Sequence, residues 1–370
     1  MLVDYESFKE TSITGRYVTS EMLEMDWMRK LDFPIKEIGE SVNGIPINAI
    51  TLGNGSSKVL MWSQMHGNES TTTKAVLDLV NMLKSKKDLS KPILEHCTLV
   101  IVPILNPDGA RNYNRVNANE VDLNRDAKQL TQPESKALNN LFNDFKPDFC
   151  FNLHDQRTLF SVGKSDKSAT VSFLSPSSDE SRKLTPTREI AMKLIVSMNE
   201  KLQQIIPGQV GRYDDGFNDN CVGDSFQMKE VPTILFEAGH YGNDYQREKT
   251  RELIFYALVK GLTTISENNI EVFKTDDYFN IPENDKLFFD ILILNAQKSN
   301  PKMDDNTKVG IRYKEVLKNN TINFIPEIAD MGNMPGYFGH LTFDCAKTED
   351  WNALNERKDV INLLEDVRKL

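Results

Sequence analysis

Four features that would direct the chain to particular compartments or partners are absent from its 370 residues. No run approaches the roughly 20 apolar residues of a membrane helix, and the acidic first residues do not form the apolar segment of a signal peptide. The four cysteines form no C-x-x-C pair, so neither a redox site nor a zinc ribbon is indicated. The net charge of −10 provides no basic surface for nucleic acid. We therefore expect a cytoplasmic protein without a membrane or nucleic-acid partner, and nothing in the sequence specifies its oligomeric state.

The composition that remains is that of a folded globular protein, with 26% charged and 39% hydrophobic residues. Because a single core stops growing near ~250 to 300 residues, a chain of this length is expected to form two units. Up to about residue 265, short β-branched runs alternate with helical periodicities. This pattern predicts an α/β domain with a mixed central sheet and helices on both faces. From residue 268 onward, apolar runs separated by turn residues predict a small β-rich unit ending in a helix.

The predicted domains are therefore 1–267 and 268–370. Within the first, an Asn43-Gly44 turn predicts a hairpin at the edge of the sheet. In the last twenty residues, apolar side chains from Trp351 to Val367 are spaced for one face of a single helix. The clearest strands are predicted at 58–64, 98–105, 149–153 and 232–237, and the clearest helices at 70–85, 133–145, 187–205 and 245–265.

Two histidines and a glutamate are the candidate metal ligands. His66 and Glu69 follow a predicted strand and are three residues apart, which lets both side chains reach one ion once the chain turns at Gly67. Alone this pair is weak, but His154 stands at the end of another predicted strand, where α/β sheets collect their binding residues. His240 stays open as an alternative, because it forms a second pair with a glutamate three residues earlier.

Five motifs in order make the interpretation more specific. They are HGNE at 66–69, NPDG at 106–109, RVNANEVDLNR at 115–125, LHD at 153–155 and LFEAG at 235–239. This series resembles the zinc carboxypeptidase family, which includes carboxypeptidase A and murein peptide amidase-like members. The resemblance covers roughly residues 35 to 260, and it implies the mixed α/β fold, a single Zn²⁺ per chain and a peptide or amino-acid-derived substrate with a free carboxylate.

The resemblance also implies a role for each matching residue, and it moves His240 out of the ligand set. The proposed base accepts a proton from zinc-bound water, the oxyanion arginine stabilises developing negative charge, and the clamp holds the substrate's terminal carboxylate. The implied roles are metal ligand for His66, Glu69 and His154, general base for Glu237, oxyanion stabilisation for Arg115, carboxylate clamp for Asn124 and Arg125, and orientation of the first histidine for Asp122.

The sequence departs from the family pattern in two places. Asp126 and Ala127 follow the clamp, where the family usually has another asparagine and an aromatic residue, so the pocket wall is expected to differ. The mobile tyrosine of carboxypeptidase A-like enzymes has only Tyr213 as a loose counterpart, and we assign it no role from sequence.

Before the last motif lies an acidic segment that contains Asp214, Asp215, Asp219 and Asp224. Aspartates in Gly- and Asn-rich segments mostly serve turns, so a solvated loop is one interpretation. The resemblance implies another, in which this segment walls the substrate pocket and a carboxylate, with Asp224 the first choice, favours a cationic end group.

The sequence thus predicts a zinc metallocarboxypeptidase that hydrolyses a C-terminal amide bond. One alternative is an N-acyl amino acid deacylase of the succinylglutamate desuccinylase and aspartoacylase type, which shares the H-x-x-E, DLNR and later histidine pattern. The other is a binding module without activity, although the three ligands, Arg115 and Glu237 are all present.

Overall fold

The computed structural model describes residues 4–85, 89–300 and 303–366 of the chain. The strands in these residues, numbered along the chain, are β1 (Ile35–Glu40), β2 (Pro46–Leu52), β3 (Ser57–Ser63), β4 (Cys97–Val102), β5 (Phe149–Asp155), β6 (Ser161–Val162), β7 (Val171–Leu174), β8 (Val210–Arg212), β9 (Thr233–Ala238), β10 (Asn284–Asp285), β11 (Phe288–Leu294), β12 (Lys308–Lys318), β13 (Thr321–Gly332) and β14 (Phe338–Asp344).

The helices of the described residues follow the same numbering. They are α1 (Ser20–Asp26), α2 (Thr71–Lys84), α3 (Ser90–His96), α4 (Pro107–Asn112), α5 (Pro133–Phe145), α6 (Pro186–Gln203), α7 (Val222–Met228), α8 (Glu248–Ser266), α9 (Asp276–Phe279), α10 (Thr348–Glu356) and α11 (Lys358–Asp366).

Eight strands form a mixed sheet in the order β1-β2-β4-β3-β5-β9-β7-β8. The four central strands β4, β3, β5 and β9 run parallel, and nearly all of their residues are buried because helices cover both faces. Parallel strands present all their carboxyl ends at one edge of the sheet. The loops after β3 and β4 and the last residues of β5 and β9 therefore meet at this edge. The predicted α/β architecture is confirmed.

Helices α2, α6 and α8 pack on one face of the sheet, and α5 and α7 pack on the other. The first face encloses the larger core, which includes Leu79, Met198 and Leu258. The second face encloses a smaller core around Trp62 and Phe226, whose rings meet edge to face at 5.4 Å. The sheet is thus buried on both sides, and its carboxyl-end loops remain the part where polar side chains can gather.

The predicted hairpin at the edge of the sheet is confirmed, since β1 and β2 pair antiparallel and β1 is the outermost strand. Gly44 has φ of 73°, a left-handed conformation that glycine adopts without strain. The neighbouring Asn43 donates hydrogen bonds from its backbone and its side chain to Asp108 in α4, both at 3.1 Å. The hairpin tip is therefore fixed to the helix that contains the NPDG motif.

A second sheet follows, in the order β13-β12-β11-β14, and α10 and α11 cover one of its faces. This sheet is the predicted β-rich C-terminal unit. The division of the chain at 267/268 stays a prediction, and Tyr278 and Ile281, which come after that point, pack into the core of the large sheet.

The helix predicted from Trp351 to Val367 is instead two short helices that meet at Arg357, and Val367 lies outside the described residues. At Arg357 the backbone leaves the helical conformation, with ψ of 76°, and its side chain donates a hydrogen bond to the Tyr313 hydroxyl at 2.7 Å on the sheet below. Two short helices then follow the sheet and bury Leu354 and Val360. Throughout the described residues, no helix combines the length and apolar character needed to cross a membrane.

Candidate metal centre and active site

The loop after β3 has a tightly constrained backbone. Gln64 has φ of 49°, in the left-handed region, and its side-chain Nε2 donates a hydrogen bond to the Gly67 carbonyl at 2.8 Å. A Cβ at Gly67 would lie 1.9 Å from the backbone of Gly109, so the close approach of the two loops requires glycine. With this turn, His66 and Glu69 face the same space.

The NPDG motif fixes the other side of this loop. Asn106 Oδ1 accepts a hydrogen bond from the Gly109 N–H at 2.9 Å and so caps the start of α4. Its Nδ2 donates to the carbonyl of Met65 at 3.2 Å. One buried asparagine therefore joins the loop after β4 to the residue before His66, which explains why the motif accompanies the proposed metal ligands.

The side chains of His66, Glu69 and His154 converge at the carboxyl end of the sheet. The Nδ1 atoms of the two histidines lie 3.1 Å apart. Glu69 reaches both, with Oε1 at 2.9 Å from Nδ1 of His66 and Oε2 at 2.9 Å from Nδ1 of His154. The ligand atoms of all three side chains lie within 4.8 Å of one another, and the three residues are buried.

Glu69 and His154 are positioned by the residue that follows His154. The backbone N–H of Asp155 donates to Glu69 Oε2 at 3.1 Å. The side chain of Asp155 accepts the N–H groups of Thr71 and Thr72, at 2.9 and 3.2 Å, in the first turn of α2. Because a carboxylate is favoured at a helix N-terminus, this contact anchors α2 beside the ligands. Asp155 received no role from the sequence, although it belongs to the LHD motif.

Asp122 and Arg115 border the same cluster. Asp122 Oδ1 lies 3.0 Å from Nε2 of His66, and Arg115 donates from Nε to Asp122 Oδ2 at 3.1 Å and from NH1 to Glu69 Oε1 at 3.2 Å. Burial acts to raise the pKa of Asp122, but the hydrogen bond and charge of His66 outweigh it and lower that pKa. An ionised Asp122 keeps the His66 proton on Nε2, which leaves the Nδ1 lone pair facing the other ligands.

Glu237 lies across from the cluster on β9, where it is the register partner of His154 on β5. Its Oε2 atom is buried and has no hydrogen-bond partner in the part of the chain that the structure describes. Burial, and then the charges of Glu69 and Asp155, raise the pKa of Glu237 well above its usual value. A carboxyl group in this environment is a strong proton acceptor.

Asn124 and Arg125 lie farther out, next to the N-terminus of α7. Asn124 Oδ1 accepts the N–H of Val222 at 3.0 Å. The exposed Arg125 donates from NH1 to the Asn124 carbonyl at 2.7 Å and to Cys221 Sγ at 3.1 Å. Within residues 4–85, 89–300 and 303–366, no carboxylate forms a salt bridge with Arg125. Its positive charge is therefore available to an anion from solution.

Asp126, the first departure from the family pattern, is turned away from solvent into its own loop. It accepts three hydrogen bonds, from the N–H and hydroxyl of Thr131 at 2.9 and 2.8 Å and from the N–H of Gln132 at 2.9 Å. Ala127, which follows it, is partly buried against the core between the sheet and α5. Both side chains thus stabilise the loop after Arg125.

Tyr213, which received no role from the sequence, is close to the proposed base. Burial, and then the negative charges of Glu237 and Glu69, raise the pKa of its phenol, so the hydroxyl keeps its proton. Its ring packs edge to face on Phe160 at 5.3 Å. The signal in the sequence was the tyrosine's spacing from the LFEAG motif, which without the register of β8 and β9 does not fix its direction.

His240, the alternative ligand, faces away from the other donors. Its buried ring contacts His340 and Tyr245, with ring centroids at 4.2 and 4.6 Å. Among the described residues the cluster of possible ligands is His66, Glu69 and His154, without His240. His240 therefore lies at the contact between the two sheets.

Asp224 differs from the other aspartates of the acidic segment. Burial raises its pKa to about 6, and backbone hydrogen bonds from Asn218 and from its own N–H, followed by the nearby charge of Arg125, offset part of this rise. Asp224 is in no salt bridge within the described ranges, whereas the other three are paired. The pairs are Asp214 with Arg182, Asp215 with Arg182 and Arg188, and Asp219 with Lys128.

The donor set fits a zinc ion. The Nδ1 atoms of His66 and His154 lie 3.1 Å apart, and each lies 2.9 Å from an oxygen of Glu69, so these donor atoms are close enough to share one cation. Two histidines and one glutamate are the ligands of known catalytic zinc sites, which keep a further position open. The α/β fold and this donor set, beside a buried carboxyl group, define the class of the protein as a metal-dependent hydrolase.

A family model described as zinc carboxypeptidase matches residues 27–232, more than half of the chain. The protein belongs to the zinc carboxypeptidase family. The matched range includes the three proposed ligands and ends shortly before Glu237.

Curated relatives agree in kind but cover little of the chain. Carboxypeptidase SOL1 of Arabidopsis thaliana is 32% identical over 166 residues, which are 38% of this chain and 34% of that protein. Carboxypeptidase 2 of Trichophyton rubrum is 29% identical over 102 residues, 27% of this chain and 19% of that protein. The chain thus spans about a third or less of the length of these relatives.

Solved structures show the same fold at low identity. A metallo-carboxypeptidase from Burkholderia cenocepacia has a TM-score of 0.52 at 19% identity, covering 65% of this chain and 66% of that one. Thrombin activatable fibrinolysis inhibitor has a TM-score of 0.55 at 16% identity, covering 71% and 77%. A metallo-carboxypeptidase from Pseudomonas aeruginosa, solved with (2-guanidinoethylmercapto)succinic acid, has a TM-score of 0.52 at 17% identity, covering 68% and 70%.

Proposed function

We propose that this protein is a zinc carboxypeptidase that hydrolyses the C-terminal amide bond of a peptide with a free carboxylate. The observation that carries the proposal is the convergence of His66, Glu69 and His154 within 4.8 Å, with Glu237 on the adjacent strand. These three ligands would hold one zinc ion per chain. Membership of the family supports the choice, and the carboxypeptidase relatives do not favour the deacylase alternative.

Zinc bound at these ligands supplies a Lewis acid and lowers the pKa of water to about 7. In the proposed reaction, Glu237 Oε2 takes the proton of the attacking water and later gives it to the leaving amine. Its buried and unpartnered oxygen, with a raised pKa, supports this role. The Tyr213 hydroxyl stays protonated, and we propose that it can donate a hydrogen bond near the carboxyl group of Glu237.

Arg115 is proposed to stabilise the negative charge that develops on the carbonyl oxygen of the scissile bond. Its guanidinium is half-exposed, and it is fixed by Asp122 and Glu69 at the edge of the cluster. A fixed positive charge favours the transition state over the flat carbonyl because the charge develops only as the bond forms.

Arg125 and Asn124 are proposed to bind the terminal carboxylate of the substrate. A guanidinium offers two parallel N–H groups to a carboxylate, and Arg125 has no competing acidic partner in the described residues. This clamp would restrict cleavage to the last residue of a chain. Asp224, whose charge interacts with that of Arg125, is proposed to face the substrate's end group, where it would favour a cation.

The substrate class can be found by a screen that starts with small peptides. C-terminal dipeptides ending in lysine and leucine, γ-linked peptides and N-acyl amino acids together cover the peptidase and deacylase reactions. The proposed function requires release of a C-terminal residue from at least one peptide. Release of an acyl group from N-acyl amino acids alone would assign the deacylase reaction instead.

Replacing Arg125 with alanine should raise KM for peptides with a free carboxylate and lower kcat/KM by about 10- to 100-fold. The reason is the loss of a charge-assisted hydrogen bond, which contributes about 1.5 to 3 kcal/mol, where 1.4 kcal/mol corresponds to tenfold. Steady-state kinetics on one peptide, free and amidated, measures the effect.

Arg29→Ala is the matched control, since Arg29 is exposed and only 4.0 Å from Glu24 in a surface pair. The control should behave as wild type. Unchanged KM for the free peptide in Arg125→Ala would remove Arg125 from substrate binding.

A further inference from the structure

The second sheet contacts three of the loops that flank the proposed active site. One loop follows α4 and leads to Arg115, one follows β5 after His154, and one follows β9 after Glu237. A side chain of the second sheet forms a hydrogen bond with each of these loops. The contacts are Tyr113 hydroxyl to Glu315, His340 Nε2 to the Thr158 carbonyl at 2.7 Å, and Tyr245 hydroxyl to Asp290 Oδ1 at 3.0 Å.

Glu315 on β12 makes the most extensive of these contacts. Its Oε1 lies 3.1 Å from NH1 of Arg16, and its Oε2 accepts from NH2 of the same arginine at 3.3 Å. The Tyr113 hydroxyl donates to the same carboxylate. Arg16 is 5% exposed, so Glu315 is the carboxylate that neutralises a buried guanidinium between the N-terminal segment and the second sheet.

Both partners of Glu315 lead directly to active-site residues. The carbonyl of Arg16 accepts the Ser70 hydroxyl at 2.6 Å, and Ser70 is next to the proposed ligand Glu69. Tyr113 ends α4 with φ of 54°, a strained conformation for a tyrosine, and lies two residues before Arg115. One carboxylate of the second sheet therefore holds the chain on both sides of the contact between Arg115 and Glu69.

We propose that Glu315 is a positioning residue, which acts through Tyr113 and Arg16 to hold Arg115 at the scissile carbonyl. The second sheet then contributes to catalysis by holding Arg115 in position. The proposal rests on the proposed function, because the effect of Arg115 is defined by the reaction. Small displacements of a catalytic group are costly, and a shift of about 1 Å can lower the rate about 100-fold.

Glu315→Gln tests the proposal, because it keeps the shape of the side chain and removes the charge that neutralises Arg16. We expect kcat to fall by about 10- to 100-fold, with KM within about twofold of wild type and zinc content unchanged. Tyr113→Phe, which removes only the hydroxyl contact, should show a smaller fall in kcat. A role limited to stability would lower the melting temperature and leave kcat of the folded protein unchanged.

Glu327→Gln is the matched control on the neighbouring strand β13. Glu327 is exposed and lies 3.9 Å from Lys314, which is also on the surface, so its replacement should leave both kinetic constants at wild-type values. Equal kinetics of Glu315→Gln and Glu327→Gln would overturn the proposal.

Combining Glu315→Gln with Arg115→Ala gives the decisive comparison. If Glu315 acts through Arg115, the double variant should have a kcat within about twofold of Arg115→Ala alone, since no oxyanion arginine remains to be positioned. Calorimetry measures binding without turnover. Glu315→Gln should lower the affinity for a tetrahedral phosphonate analogue of the peptide bond by about tenfold and leave the affinity for the free product amino acid unchanged.

The outcomes separate the two proposals. Two results would overturn the role of Glu315 while the proposed function stands. One is a loss of kcat in the double variant equal to the product of the two single-variant losses. The other is an equal loss of affinity for the phosphonate and for the product amino acid. A zinc-loaded wild-type protein that cleaves no peptide would overturn the proposed function, and the role of Glu315 with it.

Discussion

Replacing Glu237 with glutamine should leave zinc bound and reduce kcat by at least about 100-fold, and by up to about 10,000-fold. The amide keeps the shape of the side chain but cannot accept the proton of the attacking water. Glu237 is not among the three converging donors, so metal content should not change. Elemental analysis and steady-state kinetics on the same preparation measure both effects.

Glu230→Gln is the control for this experiment. Glu230 is exposed in the turn before β9, seven residues before the proposed base, and should tolerate the same change without loss of activity. A Glu237→Gln protein with near-normal kcat would remove Glu237 from the mechanism, whereas loss of zinc from it would make Glu237 a ligand.

Replacing His66 with alanine should reduce zinc from about one ion per chain to a small fraction and abolish turnover. His66 supplies one of the three donors, and it connects the cluster to Asp122 through its other ring nitrogen. Loss of a residue that only orients a ligand costs about 10- to 100-fold in metal affinity, so loss of the ligand itself should cost more. Metal content after dialysis against a weak chelator gives the result.

Two other histidines serve as controls for the ligand assignment. His96→Ala changes an exposed ring whose Nδ1 lies 2.9 Å from the Pro92 carbonyl, and it should keep zinc and activity. His240→Ala should also keep zinc, because His240 faces His340 and Tyr245. Retention of zinc in His66→Ala together with its loss in His240→Ala would show that the ligand set is wrong.

The parts of the fold that depend on local pattern could be predicted from the sequence. Strands β3, β4, β5 and β9 are short apolar runs, and α5 has both of the bounds predicted for it, 133 and 145. Each of these elements buries side chains against the elements next to it. Its apolar residues therefore follow the period of a strand, two residues, or of a helix, 3.6 residues. The break at Arg357 could not be read in this way, because the two short helices pack on a sheet formed by earlier parts of the chain.

In the candidate site, too, the local sequence pattern indicates some of the residues and not others. His66 and Glu69 are linked by one turn at Gly67, so their spacing indicates that they converge. His154 reaches this pair because of the order of the strands in the sheet. Its position beside the pair was predicted from the ordered motifs through the family resemblance. The three side chains do converge, while their roles as ligands stay predictions that the His66 variant tests.

Residues that act over long separations were missed. Glu315 is 299 residues from Arg16 and 202 from Tyr113, and its carboxylate belongs to no motif. Asp155 was visible beside His154, but its contact with the first turn of α2 depends on how β5 and α2 meet. Such partners are determined by tertiary packing, for which a single sequence contains no local signal.

The central claim is that the protein removes single residues from the carboxyl end of a peptide by zinc-dependent hydrolysis. Mass spectrometry of the products from one peptide, supplied free and C-terminally amidated, with zinc-loaded and zinc-stripped protein, tests this claim most directly. The account predicts loss of one C-terminal residue from the free peptide by the zinc-loaded protein alone, and an intact amidated peptide. Equal cleavage of the two peptides, cleavage at an internal bond, or full activity after removal of zinc would contradict it.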